Sequence, residues 1–170
     1  MEGKFFQKDE ANAVDYLIEA ANKASDVALF KLAFIYENGI QGVVEKNDKT
    51  ALKYYFLAAS LQNEDALKGL VGKYNNLNGD DKIKAYRILK IAAKQRLYTG
   101  LKFIGIMYRD WAENKDNKDT TERKQKMLYK AMLYLNIIAE QGDMDSLIDM
   151  ANRYYYGNGV NQDFIKAKEY

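Results

Sequence analysis

The chain has 170 residues, with 26 basic and 24 acidic side chains for a formal charge of +2, and it contains no cysteine, histidine or proline. Without cysteine and histidine, disulfides, thiolate nucleophiles, imidazole bases and the usual zinc or haem ligands are excluded together. The near-balanced charge argues against an obligate nucleic-acid binder, and the lack of proline favours uninterrupted helices over an all-β fold.

The opening residues carry no signal-peptide core, and no apolar run approaches the ~18 residues of a membrane-spanning helix. A cytoplasmic location with no membrane contact is expected, with a processed form of a secreted protein left open. The first helix is expected over about 9–24, where Ala13, Tyr16 and the pair Ala20-Ala21 share one face through offsets of 3, 7 and 8. The same set returns as Ala51, Tyr54 and Ala58-Ala59, as Ala85, Ile88 and Ala92-Ala93, and as Ala131, Tyr134 and Ile138-Ala139. It begins again at Ala167 and reaches Tyr170.

A second helix follows each of these at a fixed distance. Ala28, Ala66, Gly100 and Ser146 each lie 15 residues beyond an anchor alanine. Leu32, Leu70, Ile104 and Met150 follow 4 positions later, and Tyr36, Tyr74, Tyr108 and Tyr154 follow 8 positions later. Only the stretch from that tyrosine to the next anchor varies, at 15, 11, 23 and 13 residues. A fixed link preserves packing, whereas a loop at the other end lengthens at little entropic cost. Residues 1–170 therefore read as one repeat domain: a lone helix over about 9–24, then repeats over about 25–62, 63–96, 97–142 and 143–170, the last incomplete. Asp9, Ser25, Asp48, Asn63, Asp80 and Asn161 stand where helix-capping side chains are needed. Glycine turns at 38–43 and 158–160 close the first helix of two repeats.

These residues resemble the Sel-one-like repeat family, relatives of the tetratricopeptide repeats. Tyr154, Gly157, Gly159, Val160, Asp163, Ala167 and Tyr170 match the family pattern most fully, and Ala28, Leu32, Tyr36, Gly39, Gly42, Val43, Asp48, Ala51, Tyr54, Ala58 and Ala59 carry it in the first full copy. The family glycine after the leucine is replaced by Ala33, Val71 and Ala151 and survives as Gly105. The third copy replaces the glycine turn with residues 109–125.

The resemblance implies an all-α fold, an α/α superhelical solenoid of about four antiparallel helix-pair repeats. It also implies a non-catalytic protein that binds another protein on its concave face and needs no cofactor or metal. By analogy with the tetratricopeptide groove, the partner-binding positions are Phe30, Phe34, Glu37, Lys68, Asn75, Lys102, Ile106, Arg109, Ile148, Asn152 and Tyr155, and Trp111 joins them at the third-copy insertion. Two settings follow: a general adaptor, or a small bacterial immunity or inhibitor protein that neutralises a secreted toxin. A short array with no attached enzyme domain suggests the second.

Each feature also has a plainer reading. Phe30, Phe34 and Ile106 serve equally well as packing between repeats, and the insertion serves equally well as a solvated loop. Asp110, Asp116, Asp119 and Glu122 lack the alternation and central glycine of a calcium loop. Asp143, Asp145 and Asp149 read as charges favourable to a helix start. The basic stretch 82–96, with Arg87, Lys90 and Lys94 on one face, offers the alternative of nucleic-acid binding, against the simpler reading of a wet helix face. Gly157-Asn158-Gly159 lacks the strand and third glycine of a dinucleotide fingerprint.

Overall fold

The computed structural model describes residues 2–170, with side chains described from Asp9 onward. The described residues form α1 (Glu2–Asn22), α2 (Asp26–Asn38), α3 (Asp48–Ser60), α4 (Glu64–Lys73), a 3-10 turn (Tyr74–Asn76), α5 (Gly79–Lys94), α6 (Tyr98–Glu113), α7 (Thr121–Ala139), α8 (Met144–Tyr156) and α9 (Phe164–Glu169). They contain no β-strand, only an isolated bridge between Ile40 and Val44. The chain divides into two compact units, the first ending at Ile88 and the second running Leu89–Tyr170. In the first, α1 packs on α2, α2 on α3 and α3 on α4; in the second, α6 packs on α7, α7 on α8 and α8 on α9.

Small residues set the spacing of each pair. Ala51, Ala85 and Ala131 are buried, as are Ala28, Ala66, Gly100 and Ser146 and the large residues Leu32, Leu70, Ile104 and Met150. A Cβ added at Gly100 would stand 2.4 Å from the backbone nitrogen of Ala93 and 2.7 Å from Ala92. Helix backbones that close leave room for no side chain at the contact. Ala13 and Tyr16 hold the same register in α1 but are exposed, because that side of α1 is left to solvent among the described residues. The deepest large side chains fall one position beyond the expected ones, at Tyr55, Leu89 and Leu135.

The tyrosines form a recurring seam. Tyr36 stacks on Tyr54 with centroids 5.6 Å apart, Tyr108 on Tyr134 at 6.0 Å, and Tyr154 on Tyr170 at 5.8 Å. Tyr74 lies beside Tyr86, and burial together with that neighbour raises its phenol pKa. Its link to the next anchor is the shortest of the four, so its partner comes from an earlier position in α5. A lysine ammonium lies over three of these rings: Lys82 over Tyr74 at 5.1 Å, Lys130 over Tyr108 at 5.5 Å and Lys166 over Tyr154 at 5.3 Å. Such contacts contribute about 0.5–1 kcal/mol each where water reaches them.

The fixed links share one backbone solution. The N–H groups of Ser25, Asn63, Leu97 and Asp143 donate to the carbonyls of Ala20, Ala58, Ala92 and Ile138. The residue before each donor is left-handed: Ala24 (φ 60°), Gln62 (φ 68°), Arg96 (φ 62°) and Gly142 (φ 89°). This is the closure in which a left-handed residue satisfies the last helical carbonyls. Three of the four links carry a side chain where glycine is preferred. The next helix then starts at once, capped by Ser25, Asn63 or Asp143, whereas Leu97 makes no side-chain cap.

Several expected caps move. Asp9 lies inside α1, Asp48 is the first residue of α3, and Asp80 falls in the first turn of α5. Asn47 and Asp163 cap α3 and α9 in place of Asp48 and Asn161. The N–H of each donates to the carbonyl of the preceding repeat tyrosine, Tyr36 or Tyr154, which fixes where the new helix begins. The third-copy insertion is mostly helix: α6 continues to Glu113 and α7 starts at Thr121, leaving only residues 114–120 between them.

Gln62→Gly and Arg96→Gly relieve a left-handed side-chain strain of roughly 1–2 kcal/mol and lose part of it to the freer unfolded chain. Each raises stability by about 0.5–1 kcal/mol, which thermal unfolding followed by circular dichroism reads as a gain of roughly 1–4 °C. Gly100→Ala lowers stability by about 1–3 kcal/mol through overpacking in the same measurement.

Candidate functional site

In the first unit, Phe30, Phe34 and Glu37 lie on α2, Lys68 lies on α4, and Asn75 lies in the 3-10 turn. Phe34 is 57% exposed and Lys68 pairs with the exposed Asp65 at 3.1 Å. Phe30 and Glu37 converge instead on the buried Tyr55 of α3. The Phe30 ring meets Tyr55 edge-on at 6.1 Å, and the Tyr55 hydroxyl donates to Glu37 Oε2 at 2.6 Å. Lys73 pairs with Glu37 and holds its ammonium 5.1 Å from the Tyr55 ring. A Cβ at Gly69 would lie 2.4 Å from the Tyr55 ring, so glycine makes room for the phenol against α4.

Burial opposes the charge of Glu37, but the Lys73 and Tyr55 hydrogen bonds outweigh it and lower its pKa. Burial and the Glu37 carboxylate push the Tyr55 phenol well above its usual range. Glu37 is thus committed within the fold, and Phe34 and Asn75 are left facing water.

In the second unit, α6 carries Lys102, Ile106, Arg109 and Trp111, and α8 carries Ile148, Asn152 and Tyr155. Ion pairs link the two helices in sequence order. Lys102 Nζ reaches Asp143 at 2.9 Å and Asp145 at 3.4 Å, and Tyr98 also donates to Asp143. Arg109 contacts Asp110 at 3.2 Å and Asp149 at 3.9 Å. Arg153, 2% exposed, donates from Nε to Asp149 at 2.8 Å and from Nη2 to Glu113 at 3.1 Å. Two hollows lie along this face. One of about 230 Å³ is lined by Lys102, Ile106, Arg109, Leu135, Asp145 and Asp149 among others, and one of about 440 Å³ by Glu113, Asp149, Asn152 and Arg153 among others.

Three side chains converge on Asp143. Burial works against its charge, yet Ser146, Tyr98 and Lys102 all donate to it and hold its pKa far below the usual carboxylate range. Lys102 mirrors this: burial opposes its charge, and the Asp143 and Tyr98 contacts raise its pKa above the ordinary lysine value. Asp143 and Arg153 are absent from the residues inferred from the groove analogy. The sequence marked Asp143 as a charge favourable to a helix start but not as a cap, and its Lys102 partner lies 41 residues away in sequence. For Arg153 the available signal was Asp149, placed four residues earlier on the same helix face.

The remaining expected positions are open or locally packed. Ile148 and Asn152 are exposed. Tyr155 is exposed and meets Tyr156 edge-on at 4.8 Å and Phe164 at 5.4 Å. Trp111 is partly exposed, lies 5.5 Å from the Arg123 guanidinium, and its carbonyl accepts from the Asn117 side chain. In the basic stretch, Lys82 lies over Tyr74, Lys84 lies 4.4 Å from the Phe56 ring, and Arg96 forms the left-handed link before α6. Among the described residues, no helix is long and apolar enough to cross a membrane.

Sequential antiparallel helix pairs closed by small-residue contacts define an all-α repeat protein of the α/α solenoid class. The Sel1 repeat model matches residues 1–25, 26–63, 70–97 and 145–170, more than half of the sequence, and the chain belongs to the Sel1 repeat family. No curated protein matches it. Among solved structures, a Sel1 repeat protein from Oxalobacter formigenes is similar at TM-score 0.69 and 23% identity, covering 97% of this chain and 64% of its own. The protective antigen c5321 of uropathogenic Escherichia coli, which displays an SLR fold, is similar at TM-score 0.67 and 23% identity, covering 92% of this chain and 31% of its own. This chain therefore spans less than two thirds of either. Of the two spans left unmatched by the family model, 64–69 and 98–144, the longer contains the extended α6 and α7. Sel1 repeat proteins are in general modules for protein–protein interaction.

The lowered Asp143 pKa has a pH signature. A carboxylate depressed in the folded state contributes stability that is present above its unfolded value, near pH 4, and is lost as pH falls toward its folded value. Asp143→Asn keeps a competent helix cap but loses the charge paired with Lys102. Its stability in urea falls less steeply than that of the parent between about pH 4 and pH 2. At neutral pH, Asp143→Ala, which loses both cap and charge, is less stable than the parent by about 2 kcal/mol.

Proposed function

We propose that this chain is a non-catalytic protein-binding module that engages its partner through the first-helix faces, α2 and α4 in one unit and α6 and α8 in the other. The observation that carries this reading is the exposure of large apolar side chains on helices whose other faces are fully buried. Phe34, Ile148 and Tyr155 are all more than half exposed, while Leu32 and Met150 on the same helices are at 0% and 1%. Exposed aromatic and aliphatic side chains beside fixed charges are the usual material of an interface centre. The partner-binding set is accordingly Phe34, Lys68, Asn75, Ile106, Trp111, Ile148, Asn152 and Tyr155, with Phe30, Glu37, Lys102 and Arg109 shaping the surface from beneath.

Within this reading the protein acts as an adaptor or as an immunity protein that neutralises a bacterial toxin, since both roles use the same face. Co-expression separates them: an immunity protein restores growth to cells producing the toxin that it binds. Nucleic-acid binding through 82–96, with Arg87, Lys90 and Lys94 on one face, is the second reading, and the near-balanced charge of the whole chain weighs against it.

Capture of partners from native cell extract, compared between the parent and single variants, tests the reading. Phe34→Ala, Ile148→Ala and Tyr155→Ala each remove an exposed side chain, so the folded helix content stays at the parental level. At least one weakens the captured complex by about tenfold or more. Unchanged affinity in all three variants contradicts the proposed face.

A further inference from the structure

Helices α3, α7 and α9 each receive the preceding helix on one face. Tyr36 of α2 stacks on Tyr54 of α3, Tyr108 of α6 on Tyr134 of α7, and Tyr154 of α8 on Tyr170 of α9. The residue after the stacked ring joins the same contact in α3 and α7. Tyr55 meets Phe30 and Glu37 of α2, and Leu135 lies against Gly105 of α6. Ala51 and Tyr55 are accordingly buried at 1% and 4% exposure, and Ala131 and Leu135 at 0% and 2%. Helix α1 carries the same three positions as Ala13, Tyr16 and Leu17. There Ala13 is exposed, Tyr16 is 72% exposed and Leu17 is only half-buried. The opposite side of α1, with the buried Val14, is taken up by packing on α2.

We propose that the Ala13–Tyr16–Leu17 face of α1 docks a helix from a partner protein. The incoming helix runs antiparallel to α1 and presents a small residue, a large aliphatic residue four positions on, and a tyrosine four further. This face continues an interface that the chain makes three times within itself, so the pattern of its occupant is the one carried by Ala28, Leu32 and Tyr36 and by their later copies. Rows of side chains four residues apart are what a facing helix groove accepts. The chain's own helices of this pattern are engaged: Tyr36, Tyr108 and Tyr154 are stacked, and Tyr74 lies beside Tyr86. A second copy has the same helices engaged, so the occupant is a different protein. The surface is separate from the α2 and α4 face proposed above and does not depend on it.

Charge adds to the description of the occupant. Lys130 lies over the ring of Tyr108 and Lys166 over that of Tyr154, each from the position just before the anchor alanine. In α1 that position is Asn12, so the helix supplies no such cation. Between Asp9 and Asn22 it carries Asp9, Glu10, Asp15 and Glu19 and no basic side chain, and all four carboxylates are exposed. A helix that brings lysine or arginine beside its own tyrosine restores the cation and complements this margin.

A lactam-bridged synthetic helix tests the proposal. It carries alanine, leucine and tyrosine at that spacing, lysines beside the tyrosine and a fluorescein label, and is titrated with the intact protein by fluorescence anisotropy. Saturable binding with a dissociation constant of about 10 μM or tighter is expected. Replacing the peptide tyrosine by alanine, or its lysines by glutamates, weakens binding by about tenfold or more. Ala13→Arg and Tyr16→Ala in the protein do the same, and both positions are exposed, so helix content by circular dichroism stays at the parental level. Ile165→Ala, which removes a 76% exposed side chain from α9, leaves affinity unchanged. The proposal is overturned by a lack of saturable binding, by binding indifferent to Ala13→Arg, or by a glutamate peptide that binds as well as the lysine one. The broader reading is judged separately, by partner capture with the Phe34, Ile148 and Tyr155 variants.

Discussion

The close approach of successive helices at alanine and glycine is the constraint from which the rest of this structure follows. Where Gly100 meets Ala92 and Ala93, no side chain fits between the backbones. At that separation the link between helices has room for only a left-handed residue and a cap, so every fixed link adopts the same closure. The tyrosine rings pack across the other junctions, between helices joined by the variable loops: Tyr36 of α2 on Tyr54 of α3, and Tyr108 of α6 on Tyr134 of α7. Stacked rings with a lysine above them are a wedge of defined thickness, and the loops beyond are free to vary in length. The seam is apolar at the alanines and amphipathic at the tyrosines, whose hydroxyls stay within reach of water or a neighbour such as Asn136.

Much of this was legible because the repeat is written in residue size. Offsets between small residues and tyrosines survive in the folded chain as shared burial and as ring stacks. The left-handed links were hidden, because Ala24, Gln62 and Arg96 occupy positions where a glycine would have announced them. The deep packing of Tyr55, Leu89 and Leu135 was missed by one position, since three and four residues beyond an anchor lie on adjacent parts of one face. Ala13 kept the pattern without the burial, which shows that a pattern records a capacity to pack and not the presence of something to pack against.

The sequence carried helix positions for the candidate residues but not their contacts. Register put Glu37 on α2 and Lys102 on α6. It carried no information on the Tyr55–Glu37–Lys73 cluster or the Lys102–Asp143 link, whose members lie 18 to 41 residues apart in sequence. In both units, charges on the first helices do structural work first, holding neighbouring helices in place. What those pairings leave exposed are apolar side chains such as Phe34 and Ile148, and carboxylates such as Asp145.

The most direct check on this account is the coupling between the two rings of one tyrosine pair, since the seam is claimed to act as a unit. A double-mutant cycle in urea with Tyr36→Leu, Tyr54→Leu and the double variant isolates that coupling. Interaction between the stacked rings predicts that the double variant is about 0.5–1.5 kcal/mol more stable than the sum of the single losses implies. Strict additivity would mean that the rings lie side by side without holding the helices together.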